Sequence, residues 1–145
     1  MTHSRVLEFA PEDPQVLARE LRARLAATTD PSDVHADLAA GVSGLLLLDA
    51  RSPEAYSRGH VPGAVNVPYR RIDATTAAEL PRDAVLVTYC DGIGCNASTK
   101  AALKLATLGF KVKEMLGGLD WWIRDGYAVE TGDGVGLEAK VSCGC

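Results

Sequence analysis

Cys90 ends the apolar run Ala84 to Tyr89 and opens the segment Asp91, Gly92, Ile93, Gly94, Cys95, Asn96 and Ala97. An Ala- and Leu-rich stretch, Ser98 to Ala106, follows at once. A β-branched run, a Gly-bearing loop and an Ala/Leu-rich run in that order predict strand, loop and helix. Such a loop gathers unpaired backbone N–H groups and the positive end of a helix dipole into one small space. An anion is stabilised there, and a cysteine there is expected to have a lowered pKa and more thiolate at neutral pH. Gly92 and Gly94 permit unusual backbone angles and close approach, and Asn96 or Ser98 is suited to cap the helix. These residue types point to sulfur chemistry or anion binding. The alternative is a buried cysteine closing a strand.

The elements that must position this loop alternate along the chain. Arg5 to Phe9 reads as a short edge strand. Asp13 and Pro14 suit the N-cap and first turn of a helix running to Ala27, with Val16, Leu17, Leu21 and Leu25 near helical spacing. A packing helix over one sheet edge is preferred there to a dimerisation or docking helix. Thr29-Asp30-Pro31 restarts the pattern, with Val34, Leu38 and Ala39 on one face and Gly41 as a stop. Strands are expected over Leu45 to Asp49, Val65 to Val67, Val85 to Tyr89 and Val112 to Met115. Helices between them imply an α/β fold with parallel strands and right-handed crossovers. In such sheets ligands sit beyond the carboxyl ends of the strands, where Asp49, Cys90 and Gly117 all fall.

Composition narrows the class. The chain has 145 residues, enough for one α/β domain with a proper core. A formal net charge of −4 and the absence of a basic cluster argue against nucleic acid as a partner. The run Leu45 to Leu48 is far too short to span a membrane. The N-terminus lacks a hydrophobic signal core, so a cytoplasmic location and reduced thiols are expected.

Two further segments bear on the chemistry. Asp49, Arg51, Glu54, Tyr56, Gly59, His60, Val61, Gly63 and Ala64 form one ordered pattern. Gly117, Gly118, Trp122 and Gly126 form another. With Cys90 between them, the chain resembles the rhodanese-like family, specifically its single-domain sulfurtransferases. The match spans residues 31–130, leaving 1–30 as an N-terminal extension and 131–145 as a Gly-rich tail ending in Cys143-Gly144-Cys145. The tail is expected to be mobile, and extended where ordered.

The resemblance implies a central, mainly parallel sheet with helices on both faces, and Cys90 as a nucleophile that takes the outer sulfur of a donor and becomes a persulfide. A thiol or cyanide then removes that sulfur, in two half-reactions. The amides of residues 91–97 would hold the persulfide anion. No metal or other cofactor is required. The implied partners are a small-molecule sulfur donor, the acceptor, and a protein acceptor in some settings. Neither a membrane nor nucleic acid is expected, and the chain is a monomer or homodimer. Two other classes stay open: a redox-responsive or persulfide-binding module using Cys90 and Cys95, and a non-catalytic interaction domain.

The loop departs from the family pattern C-x-x-G-x-R. Setting Ser98 at the start of the next helix leaves eight residues, Cys90 through Ala97, with alanine where arginine is expected. An arginine would grip an oxyanion in a bidentate fork. Thiosulfate is therefore expected to bind poorly unless Lys100, Arg51 or Arg70 substitutes. The longer loop is also similar to the family's phosphatase and arsenate-reductase relatives, but they need that arginine too. Cys95 reads either as a thiol that resolves or protects Cys90, or as a small interior residue. Cys143 and Cys145 read as a sulfur relay or as an unstructured end, and their spacing from Cys90 and Cys95 is not a usual zinc pattern. Asp49 is expected to orient amides or pair with a cation, Arg51 and Glu54 to pair across a turn or to line the rim, and His60 to make a structural hydrogen bond. On a helix the adjacent Trp121 and Trp122 diverge, one to the core and one toward the pocket wall.

Overall fold

A computed structural model of the chain describes residues 2–134. The elements are α1 (Pro14–Ala27), β1 (Thr28–Thr29), α2 (Pro31–Ala39), β2 (Leu45–Asp49), α3 (Pro53–Arg58), β3 (Val65–Asn66), a 3-10 turn (Tyr69–Arg71), α4 (Ala74–Ala77), β4 (Val85–Tyr89), α5 (Ala97–Thr107), β5 (Lys111–Met115) and α6 (Gly118–Arg124). The five strands form one sheet in the order β1-β5-β4-β2-β3, and every pairing is parallel. Helix starts follow local chemistry. The Asp13 carboxylate accepts from Gln15 and Val16 N–H, that of Asp30 from Asp33 N–H, and Ser52 Oγ from Ala55 N–H, with proline next in each case.

The central strands β2 and β4 are buried on both faces, hence their near-continuous apolar sequences. Alternation divides their side chains. Leu48, Leu86 and Cys90 join Ala101, Leu105 and Phe110 in a core under α5. Leu47, Val87 and Tyr89 join Val34, Tyr56, Leu119 and Trp122 in a second core under α2, α3 and α6. Fully burying each such leucine contributes about 1.5–3 kcal/mol. Helices on both faces of a parallel sheet are thus a consequence of two apolar strand faces.

Register aligns the carboxyl ends. Asp49 lies opposite Tyr89, Thr88 opposite Glu114, and Thr29 opposite Met115. The chain leaves β2 for β3 on one side and returns to β4 on the other, so the strand order switches between β2 and β4. Cys90 follows β4 at this switch, the usual position for a ligand crevice.

The N-terminal region differs from expectation. Arg5 to Phe9 forms turns and bends, with Val6, Leu7 and Phe9 exposed. The edge beside β5 is taken instead by Thr28–Thr29, a strand too short and polar to stand out in the sequence. Helix α1 lies beside that edge, where Lys113 Nζ donates to Leu25 O at 3.0 Å, yet it buries none of its residues. Leu25 is 69% exposed. Among the described residues no helix is long and apolar enough to cross a membrane. Cys143, Cys145 and most of the expected tail lie outside the described residues.

Tyr89 ties β4 to the segment between α3 and β3, its hydroxyl accepting from Val61 N–H at 3.1 Å. Burial, and then the nearby Asp49 carboxylate, push its phenol well above the usual range. An unfolded tyrosine ionises near pH 10, so this group's contribution to stability is complete below about pH 10 and is lost as pH rises beyond it. Denaturant titrations between pH 8 and pH 11 (~0.5-unit steps) are expected to show this decline, and Tyr89→Phe is expected to flatten it.

Candidate functional site

The loop after β4 is folded back on itself. Cys95 N–H donates to Gly92 O at 3.1 Å, bringing Cys95 onto Cys90, and the two are joined as a disulfide with Cα atoms 6.2 Å apart. Cys90 is 2% exposed, Cys95 is half-buried and Ile93 is 82% exposed. Asp91, Gly94 and Asn96 face solvent, whereas Gly92 is partly covered. Cys90, Asp91 and Cys95 lie within metal-ligating distance of one another, but the two sulfurs are bonded together.

Helix α5 begins at Ala97. Its first intrahelical bond, Lys100 N–H to Asn96 O at 3.0 Å, leaves the amides of Ala97, Ser98 and Thr99 without helical partners. Neither expected cap forms. Asn96 occupies the N-cap position but its side chain accepts no cap hydrogen bond. Ser98 is buried and its hydroxyl donates to Glu114 Oε1 at 2.8 Å, beside Thr99 Oγ1 at 2.7 Å. Ala97 is buried in the α5 core, so an arginine side chain at this position would displace core packing.

The loop is held from below by α6. Leu119 N–H donates to Cys90 O at 2.9 Å, and Asp120 N–H to Asp91 O at 2.7 Å. Gly118 makes this approach possible: at φ +59° a Cβ on it would overlap the Cys90 carbonyl oxygen. Gly118 thus serves as a backbone cradle for the Cys90 loop. Gly118→Ala is expected to cost more than about 2 kcal/mol through left-handed strain plus collision, read as a lowered denaturation midpoint.

Asp49 and Arg51 fix the other flank. Asp49 is fully buried, and its carboxylate takes Arg51 Nε and Nη2 (2.7 Å for the latter) as well as Arg51 N–H. Arg51 Nη2 also donates to Gly59 O at 2.6 Å, and Nη1 to Asp91 Oδ1 at 3.0 Å. Burial disfavours the guanidinium charge, but the hydrogen bonds and charges of Asp49 and Asp91 outweigh it and leave the pKa raised. Arg51 therefore pairs with Asp49 and Asp91, not with Glu54, which is exposed. Asn66, which the sequence did not single out, donates to Asp49 O and Arg51 O at 3.1 and 2.9 Å. A polar side chain in so short a strand was its one signal.

His60 packs beside Tyr56, on the same side of the sheet. Its ring stacks on Tyr56 at 3.7 Å, Nδ1 lies 2.8 Å from Tyr56 O, and Nε2 lies 3.6 Å from Glu130 Oε2. The backbones of His60 and Glu130 form an isolated antiparallel bridge, so His60 fastens the chain's return.

Beside the disulfide is a cleft of about 490 Å³ whose walls include Cys90, Cys95, Ile93, Pro31, Leu116 and Trp121. Trp121 is partly exposed on this wall, while Trp122 is buried and donates to Ala128 O at 2.9 Å. Among the described residues, the charged ones on the wall are Asp30 and Glu114. None of the three cations expected to replace the loop arginine is there. Arg51 is held as described, Arg70 Nε donates to Tyr69 Oη at 2.9 Å, and Lys100 Nζ stands 5.2 Å from the Tyr69 ring. Chemically, the arrangement offers a sheltered sulfur, a second sulfur in bonding range, a helix N-terminus and an apolar, slightly acidic cleft.

The family model described as a rhodanese-like domain matches residues 30–125. The chloroplastic thiosulfate sulfurtransferase 16 of Arabidopsis thaliana is 34% identical over 108 residues, covering 66% of this chain and 90% of that protein. The thiosulfate sulfurtransferase GlpE of Pseudomonas entomophila is 33% identical over 99 residues, covering 67% and 86%. The HTH-type transcriptional regulator Rv0324 of Mycobacterium tuberculosis is 37% identical over 90 residues, which span 62% of this chain but 39% of the regulator. The crystal structure of the BH2092 protein from Bacillus halodurans superposes with a TM-score of 0.80 at 38% identity, covering 84% of this chain and 89% of that one.

Proposed function

Because the chain belongs to the rhodanese-like family, we propose that it is a sulfurtransferase that carries sulfane sulfur as a persulfide on Cys90 and passes it to a thiol or to cyanide. The observation that carries this reading is the place of Cys90: at the carboxyl end of a central strand, on the wall of the cleft, at the head of the loop that leads into α5. A thiolate there attacks the outer sulfur of a donor, and the donor's remaining sulfur departs with the electron pair. The persulfide left on Cys90 sits near the unpaired amides of the α5 N-terminus, which favour negative charge.

The cleft wall also sets donor preference. Thiosulfate is a dianion, and among the described residues the wall presents Asp30 and Glu114 with no cation to match it. A low-molecular-weight persulfide carries less charge and suits the apolar surface of Ile93, Leu116 and Trp121. Initial rates measured over a grid of cysteine persulfide and cyanide concentrations are expected to give parallel double-reciprocal lines. Intersecting lines contradict a covalent carrier. Thiosulfate is expected to give a kcat/KM lower by about 10- to 100-fold, the scale of one lost charge-assisted hydrogen-bond pair.

A further inference from the structure

Cys95 gives the proposed carrier a way to unload that requires no sulfur acceptor. The turn closed by Cys95 N–H on Gly92 O holds its sulfur in bonding range of Cys90. The two sulfurs differ in access: Cys90 is almost wholly buried, whereas Cys95 is half-buried on the cleft wall. We propose that Cys95 is a resolving thiol that makes this protein a persulfide reductase, releasing the sulfane sulfur held on Cys90 as hydrosulfide at the expense of a dithiol. The inference rests on the persulfide-carrier reading above.

The steps balance. Cys90 thiolate takes the outer sulfur of a donor persulfide, and the donor leaves as a thiolate. Cys95 thiolate then attacks Cys90 Sγ; the Cys90–sulfane bond breaks, and the sulfane sulfur departs with the electron pair and takes up a proton. The two protein thiols are oxidised to the Cys90–Cys95 disulfide as the sulfane sulfur is reduced to hydrosulfide. A dithiol restores the starting state. Its first thiolate attacks Cys95 Sγ, belonging to the more accessible residue, and expels Cys90 thiolate beside the α5 N-terminus. Its second thiol then attacks the mixed disulfide, frees Cys95, and leaves the reductant as a disulfide. The bond between Cys90 and Cys95 is the product of the second step.

The test is a single turnover without added thiol. Reduced wild-type and Cys95→Ser proteins are loaded with cysteine persulfide, freed of donor, and followed by intact mass and a sulfide electrode. The wild type is expected to lose the added sulfur, yield one equivalent of hydrosulfide, and end two hydrogens lighter than the reduced protein. Cys95→Ser is expected to keep its sulfur about 100-fold longer, since the attacking thiol is no longer held in place. Added dithiothreitol is expected to make hydrosulfide release by the wild type catalytic. A wild-type protein that loads but keeps its sulfur, or a Cys95→Ser protein that loses it equally fast, overturns the resolving role and leaves the carrier reading standing. Failure of both proteins to load overturns the carrier reading and this one with it. The wild-type arm stands without the variant, so a folding defect in Cys95→Ser does not blunt the test.

Discussion

Cys90→Ser is expected to lower turnover of a persulfide donor with cyanide by about 10⁴-fold or more, the scale seen when a covalent nucleophile is removed. A serine hydroxyl neither ionises near neutral pH nor holds a sulfane sulfur. The loss should be confined to chemistry. Cys90 packs among Ala97, Ala101 and Leu105, and serine nearly matches its volume. Because the substitution also removes the Cys90–Cys95 bond, stability is compared with the reduced wild type. There the denaturation midpoint is expected to shift little. Retained turnover in Cys90→Ser would place the chemistry elsewhere.

Asp49→Ala is expected to destabilise the protein by about 3–5 kcal/mol, the usual result of stranding one member of a buried ion pair. Arg51 would keep Asp91 and Gly59 O but lose the carboxylate that holds its Nε, its Nη2 and its backbone N–H. The same loss frees the start of the Cys90 loop, since Arg51 bridges Asp49 to Asp91. Turnover is therefore expected to fall with stability. Glu54→Ala removes the exposed acid that the sequence offered as Arg51's partner, and is expected to stay within about 0.5 kcal/mol. Urea midpoints at unchanged m-value separate these outcomes. A small effect at Asp49 with a large one at Glu54 would contradict the pairing described above.

The legible parts of the sequence were those with local causes. Apolar runs bounded by turn residues marked β2 and β4, and Asp-Pro pairs marked the starts of α1 and α2. The ordered signatures around Asp49, Cys90 and Gly117 pointed to one end of the sheet, and register places them there. What escaped depended on distance along the chain. Arg51 finds Asp91 forty residues away. Ser98 turns to Glu114 because β5 brings a carboxylate within reach, and that contact overrides its local capping preference. Arg5 to Phe9 has strand-like residues, but strands need a partner, and none of the five strands pairs with it, Thr28–Thr29 holding the β5 edge. Asp30, Pro31 and Leu116 line the cleft only because β1 and β5 lie side by side.

Whether Cys90 carries sulfur can be read from intact mass. Fully reduced protein is incubated with cysteine persulfide or thiosulfate, quenched promptly, weighed, and mapped by peptide. Cyanide is then added and thiocyanate measured. A gain of one sulfur atom is expected, located on the peptide bearing Cys90, absent in Cys90→Ser, discharged by cyanide, and reached more readily with the persulfide. No Cys90-dependent gain from either donor would contradict the carrier reading.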